Sequence, residues 1–306
     1  VPTAPGSIAH LRGQLKGIMG NAASEVKSED EAFRKDYPPV PEAASEVPEA
    51  FLDQMKGMQD RAHEREQRPP FEFENGSVYE GQWRNQEREG FGVQTWPDGA
   101  TYSGQWVRDK AAGKGIFKHA AGDYYEGNWV EDMAHGYGTY AYITGAKYTG
   151  NFRCDKHHGE GVEVWPDGVR FQGSFFDGVK HGRGTFTWPD GSKYVGQFEG
   201  NNMSGQGTYS WKDGRTYTGQ FEMNTMHGKG EFAYGDGRMY RGEYFEDVKH
   251  GVGIFHWPDG RVYEGQWKNG RRHGRAKYRT ARGEEKIGVW EEDQLVSWLG
   301  QDKASL

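Results

Sequence analysis

Six histidines fall at one position of a recurring pattern: His135, His158, His181, His227, His250 and His273. A row of imidazoles invites a metal reading, since each can offer a ring nitrogen at ~2.1 Å to an ion. Members of such a row in a sheet of hairpins are two strands, or ~9.6 Å, apart and cannot readily share one. The adjacent pair His157-His158 points in diverging directions if its backbone is extended. The row therefore reads as loop histidines making local hydrogen bonds before a glycine. Cys154 is the single cysteine, with no Cys-x-x-Cys partner motif, and reads as a bystander in a reducing compartment. The many Gly-x-Gly pairs neither open a helix nor precede Gly-Lys-Ser/Thr, so they are not phosphate loops. The Asp-Gly carboxylates recur singly, whereas acid–base work needs two in one cleft. The expectation is a chain without catalytic residues, metal ligands or cofactor.

The elements around these residues are unusual in composition. The 306 residues include 47 glycines and 44 aromatic residues, with only 34% hydrophobic residues overall. Such a chain must bury rings rather than aliphatic side chains. The net charge of −7 divides into −3 over residues 1–70 and −4 over the rest, with no basic stripe, so nucleic acid is not an expected partner. No apolar run approaches the ~18 residues of a membrane span. The reading is a soluble, cytoplasmic protein.

An internal period settles the architecture. Aromatic residues recur every 23 positions at Tyr79, Tyr102, Tyr125, Tyr148, Phe171, Tyr194, Tyr217, Tyr240 and Tyr263. Gly follows two residues later each time, and a second ring two residues after that, from Trp83 to Trp267. A Gly-x-Gly pair such as Gly182/Gly184, a ring-rich stretch and Asp-Gly complete the unit. In Tyr-x-Gly-x-Trp the rings and glycine share one strand face, because side chains alternate with period 2. The intervening Glu80/Gln82 and Thr218/Gln220 face the other way. Trp-Pro-Asp-Gly, as at Trp188–Gly191, suits a type I turn followed by a left-handed residue, a three-residue hairpin connection. Glycine between two rings leaves room for a ring to lie flat on the backbone. Half-units extend the register, Phe71–Gly76 before it and Gly288–Trp290 after it.

Tyr-x-Gly-x-Trp, His-Gly-x-Gly and Asp-Gly at this spacing resemble the MORN (membrane occupation and recognition nexus) repeat. The resemblance spans residues 71–290. Departures are local: Ala112 and Ala121 in the second unit, Glu89 in the first, Ser204 in the sixth and Ala276 in the ninth. It implies an all-β fold, an elongated single-layer antiparallel sheet of stacked hairpins, acting as a scaffold, peptide-binding platform or membrane-associating module.

The flanks divide as a linker (1–49), an amphipathic helix (50–68) stopped by Pro69-Pro70, and a C-terminal cap and tail (291–306). Phe51, Leu52, Met55 and Met58 give that helix an apolar side, and it is expected either to cap a sheet end or to dock on the aromatic face. Met19-Gly20-Asn21-Ala22-Ala23-Ser24 matches the N-myristoylation pattern, which operates only if translation begins at Met19. An aromatic face too large to leave in water marks an interaction site. Its expected groove comprises Trp165, Phe175, Trp188, Phe198, Trp211 and Phe221. The leading expectation is a protein partner, helix or peptide, with a cytoskeletal role in view. Alternatives are a tether to a phospholipid membrane through lipid binding by the repeats or N-myristoylation at Gly20, a homodimer, and a regulatory subunit of a separate enzyme.

Overall fold

The computed structural model describes residues 49–299. Apart from one helix, Glu49–Asp60, and a 3-10 turn, Ala62–Glu64, these residues form 21 strands that alternate between seven and nine residues through the repeats. They fall into two compact units, one ending at Val179 and the other beginning at Lys180. In the first, every strand from Glu66–Glu72 to Arg170–Phe176 pairs antiparallel with its chain neighbours. The second is an equivalent meander from Val179–Thr187 to Gln294–Leu299. The all-β hairpin fold expected from the period is the fold observed.

The core of eight of the nine hairpins is a tyrosine lying flat over two facing glycines, the second of which is Ala276 in the ninth; the fifth has Phe171 in the tyrosine's place. A Cβ placed on Gly196 would fall 2.3 Å from the Tyr194 hydroxyl and 2.6 Å from the Cα of Gly207 on the next strand. Gly207 is equally closed, 2.4 Å from the same hydroxyl. Neither position tolerates a side chain, so the second glycine of Gly-x-Gly is required by ring contact. The first has a different cause: Gly205 has φ +64° and lies where the ladder register shifts, a β-bulge. The Gln197 side-chain oxygen accepts the N–H of Gln206 beyond that bulge at 2.7 Å. Gln82, Gln105 and Gln220 do the same in their hairpins. The tyrosine hydroxyls donate to the carbonyl three residues on, at 2.8–3.0 Å.

These tyrosines interleave edge-to-face with the ring four residues later and its counterpart one hairpin on. Tyr102 touches Trp106 and Trp129 at 5.0 and 5.2 Å; Tyr194 touches Phe198 and Phe221 at 5.2 and 5.0 Å. Edge-to-face pairs add roughly 0.5–1.5 kcal/mol each to what burial contributes. Volume is balanced across the ladder, where Trp106 and Trp129 stand opposite Ala111 and Ala134, and Phe198 and Phe221 opposite Met203 and Met226.

Two kinds of turn close the strands. Trp-Pro-Asp-Gly behaves as expected: Gly191 (φ +91°) donates to the Trp188 carbonyl at 3.0 Å, and Trp188 donates to the Ser192 carbonyl at 2.9 Å. The other turn has two residues, and except at Asn85-Gln86 both are at positive φ, even where neither is glycine, as in Glu131-Asp132 and Met223-Asn224. This matches the twist of antiparallel strands, and Asp and Asn tolerate it best. It also fastens successive hairpins. Asp132 Oδ1 accepts the Ala111 N–H at 2.7 Å while the Asp132 N–H donates to the Ala111 carbonyl at 3.0 Å. The same clasp joins Ala134 with Asp155, Met203 with Asn224 and Met226 with Asp247.

The flanks differ from expectation. The helix ends at Asp60, and Pro69-Pro70 lie inside the strand Glu66–Glu72 with a register shift around them. This is an edge strand, where a missing N–H is tolerated. The helix does not lie on the rings. Met55 packs against Val107 and Ala112, beside Val130. Ala112 pairs with Gln105 and Val107 adjoins Trp106, which places the contact on the opposite face. At the other end the cap is itself a strand, Gln294–Leu299, whose Trp298 closes the ring column against Trp290 at 5.7 Å.

Three outcomes follow. Gly196→Ala should lower stability by about 3 kcal/mol, an overpacking cost, against about 1 kcal/mol of backbone strain for Gly191→Ala, whose added Cβ meets nothing. Equal shifts in denaturant midpoint would refute the ring-on-glycine packing. Asp132→Ala should cost about 2 kcal/mol by leaving the Ala111 N–H unmet. Burial raises the Asp132 pKa above its ordinary value, a handicap for the charged carboxylate, so Asp132→Asn should match or exceed the parent midpoint. Finally, burial raises all eight column tyrosines above the ordinary 10.0, with Tyr194 and Tyr263 pushed up to about 12. The folded state thus holds protons the unfolded chain releases; the stabilisation is complete below pH ~10 and declines above it, by ~1.4 kcal/mol per pH unit for each tyrosine. Tyrosinate absorbance and circular dichroism should change together in one alkaline transition. Gradual ionisation of an intact sheet would contradict it.

Candidate functional site

The residues expected to form a groove separate into two sets. Phe175, Phe198 and Phe221 are 4–5% exposed, held inside the edge-to-face ladder of column rings, and offer almost no surface. Trp165, Trp188 and Trp211 are half-buried. Each opens a three-residue turn at the sheet margin, where one flank of the ring has no strand beside it.

In the second unit these turn rings belong to an outer row. Phe186, Trp188, Tyr209, Trp211 and Phe232 follow one another at centroid distances of 4.7, 5.1, 4.5 and 5.3 Å, and Tyr234, Phe255 and Trp257 continue the row. Phe186 and Tyr209 pair directly with Tyr194 and Tyr217, so outer row and inner ladder share a face. Burial raises the Tyr209 pKa, followed by the negative charge of Asp190. In the first unit the row is broken. Trp96, Phe117, His119, Tyr140 and Tyr142 make contacts of 4.6–6.1 Å, but Glu163 takes the next ring position, opposite Tyr148.

The position opposite the inner rings Phe198, Phe221 and Tyr244 changes along the chain. Met203 and Met226 give way to Lys249, whose Nζ lies 4.9–5.5 Å from the centroids of Tyr234, Tyr240, Phe255 and Trp267. His157 stacks on Tyr148 at 3.6 Å. Three turns carry a further motif. Arg215, Arg238 and Arg261 lie over Trp211, Tyr234 and Trp257 at 5.3, 4.9 and 5.2 Å, and their Nε groups bond Asp213, Asp236 and Asp259 at 2.7–2.8 Å. Sequence reasoning missed these stacks; the signal was Arg two residues after Asp at Asp213, Asp236 and Asp259.

The histidine row occupies the opposite face, since His227 pairs with Gln220 and His250 with Glu243. There His227 and His250 flank Phe245 at 5.2 and 6.1 Å, and His227 Nε2 lies 3.4 Å from Glu222. Among the described residues no group of three His, Cys, Asp or Glu could hold a metal ion. Cys154 is an exposed residue of a two-residue turn at φ +47°. The same face of the first unit carries an open trough lined by Phe91, Val93, Ile116 and Tyr137, with Glu80 and Glu126 beside them. Gly20 lies outside the described residues. No described helix is long and apolar enough to cross a membrane.

Comparison with known proteins agrees with the hairpin boundaries. The family model described as MORN repeat matches residues 79–101, 102–124, 125–147, 148–170, 171–193, 194–214, 217–237, 240–260 and 263–284. No curated protein matches the chain. Among solved structures, the TCP10 domain of Danio rerio CPAP is 13% identical with a TM-score of 0.31, covering 76% of this chain and 99% of that one. The G-box domain of the microcephaly protein CPAP is 12% identical with a TM-score of 0.31, covering 66% and 100%. Virginiamycin B lyase from Staphylococcus aureus is 8% identical with a TM-score of 0.14, covering 72% and 83%. Likenesses of that size carry no argument. The family match covers well over half of the residues and coincides with the observed hairpins: the chain belongs to the MORN repeat family, a repeat of scaffolds rather than of catalysts.

Proposed function

We propose that this scaffold binds a protein partner, as a helix or extended peptide, along the outer ring row of the second unit. The observation that carries the reading is the division of one face into two rows. The inner rings are closed off by neighbours, whereas Trp188, Tyr209 and Trp211 form a continuous, half-exposed apolar strip with Met203 and Met226 on the same face. Aromatic anchors dominate binding energies at protein interfaces, and methionine adapts to irregular partners. Trp165 offers a comparable anchor in the first unit, next to Glu163, where a basic partner residue would be favoured over an acidic one. A cytoplasmic and cytoskeletal setting fits a scaffold of this kind.

The double variant Trp188→Ala/Trp211→Ala tests this directly. Both rings lie at the sheet margin, so circular dichroism should show the sheet retained. Recovery of native partners by affinity capture from cells should fall at least tenfold, the equivalent of losing ~1.4 kcal/mol. Undiminished recovery with a folded variant would remove the outer row as the binding surface.

A further inference from the structure

The turn rings of the outer row are evenly spaced. Trp188, Trp211, Tyr234 and Trp257 recur every 23 residues, one to a hairpin, so they repeat at about 9.6 Å along the margin of the second unit. The two centroid steps from Trp188 to Trp211 through Tyr209, 5.1 and 4.5 Å, agree with that interval. All four rings are half-buried. Three of them carry a stacked guanidinium, and the Asp of the same turn balances each. Arg215 and Arg238 stay 44–45% exposed, and among the described residues their Nη groups make no further bond. Arg261 also bonds the Tyr278 hydroxyl. Stacking and the Nε bond fix the guanidinium in advance. Because its own Asp already neutralises it and would repel a second carboxylate, the outward N–H groups suit a neutral carbonyl oxygen.

The interval decides which backbone fits. An occupant of the whole row must present an apolar side chain on one edge once per hairpin. A β-strand repeats its edge at about 6.6 Å and comes into phase with the rings only at every second hairpin. A helix returns to the same edge after seven residues, about 10.5 Å, and is about 2.7 Å out of step by the fourth ring. A polyproline II strand returns after three residues, about 9.3 Å, and is only about 0.9 Å out of step there. It makes no internal hydrogen bonds, so its carbonyl oxygens are open to the arginine donors. Its backbone is already ordered, which suits it to aromatic-lined surfaces. From Trp188 to Trp257 the row spans about 29 Å, the length of about ten such residues. We propose that the partner segment seated on this row is a proline-rich polyproline II strand, its apolar edge on the four turn rings and its carbonyl oxygens on Arg215 and Arg238. The inference rests on the outer row being the binding surface and narrows its occupant to one backbone geometry.

The experiment titrates the full chain into a fluorescein-labelled twelve-residue peptide that repeats Leu-Pro-Pro, read by fluorescence anisotropy. Its leucines share one edge. A peptide of the same composition, with the leucines moved onto all three edges, should bind at least fivefold more weakly. Trp211→Ala/Tyr234→Ala should weaken the matched peptide at least tenfold, and Arg215→Ala/Arg238→Ala at least threefold, with circular dichroism confirming both folds. Raising salt from ~0.1 to ~1 M, which shortens the Debye length from ~10 to ~3 Å, should weaken binding less than twofold, since no net charge is involved. No binding of the matched peptide, equal binding of the two peptides, or equal binding by the arginine variant would overturn the proposal. So would tighter binding of a 21-residue helical peptide with leucines at every seventh position. If the matched peptide fails while Trp188→Ala/Trp211→Ala still lowers recovery of native partners, the outer row binds another backbone and this inference alone falls.

Discussion

The structure depends on one contact, a tyrosine ring lying flat across two opposed glycines. Because a Cβ at Gly196 or Gly207 would strike the ring, both strands carry glycine where they pass under it, except beneath Tyr263, where Ala276 faces Gly265. Because the ring then projects edgewise to the following rings, each hairpin's core is completed by the next. A single hairpin has nothing to bury its rings against, and the stability of such an array comes from neighbour terms. The equal spacing of the units follows: a change of unit length would move a ring off its glycines and open the column on both sides.

This arrangement also decides what remains for binding. Inner rings lie within the ladder of column rings and are shielded on both flanks; outer rings stand at or next to the turns, shielded on one. Where the outer row is complete, in the second unit, ring-stacked arginines line its turns and methionines share its face farther along the strands. Where Glu163 interrupts it, the strip is shorter and more acidic. The opposite face is mostly polar and carries the histidine row, the trough of the first unit and the helix Glu49–Asp60 over Val107 and Ala112. That helix covers apolar side chains without approaching the rings, and leaves the outer row open.

Much of this was legible in the residues. Period 2 within strands and period 23 between them placed Tyr194, Gly196 and Phe198 on one face, and Trp-Pro-Asp-Gly named its turn. What stayed hidden depends on contacts between units. Glu131-Asp132 has no glycine or proline to announce a turn with two left-handed residues, and its clasp to Ala111 joins residues 21 apart. Pro69-Pro70 signalled a helix stop because an edge strand and a stop both tolerate a missing N–H. Phe198 and Trp188 share a face, so periodicity could not show that one is closed within the ring ladder beside Tyr194 and the other lies at the margin. Docking of the apolar helix on the rings, one of its two expected places, follows from the one apolar face that periodicity shows, although Val107, Ala112 and Val130 provide a small one on the other side.

The most direct test of the division into structural and binding rings is hydroxyl-radical footprinting of each tryptophan, with and without a captured native partner. In the free chain Trp188 and Trp211 should oxidise readily while Trp106 and Trp129 remain protected. Partner binding should then protect Trp188 and Trp211 and leave the inner rings unchanged. Protection confined to the opposite face, around Phe91, Ile116 and Tyr137, with Trp188 and Trp211 as reactive as before, would contradict the account.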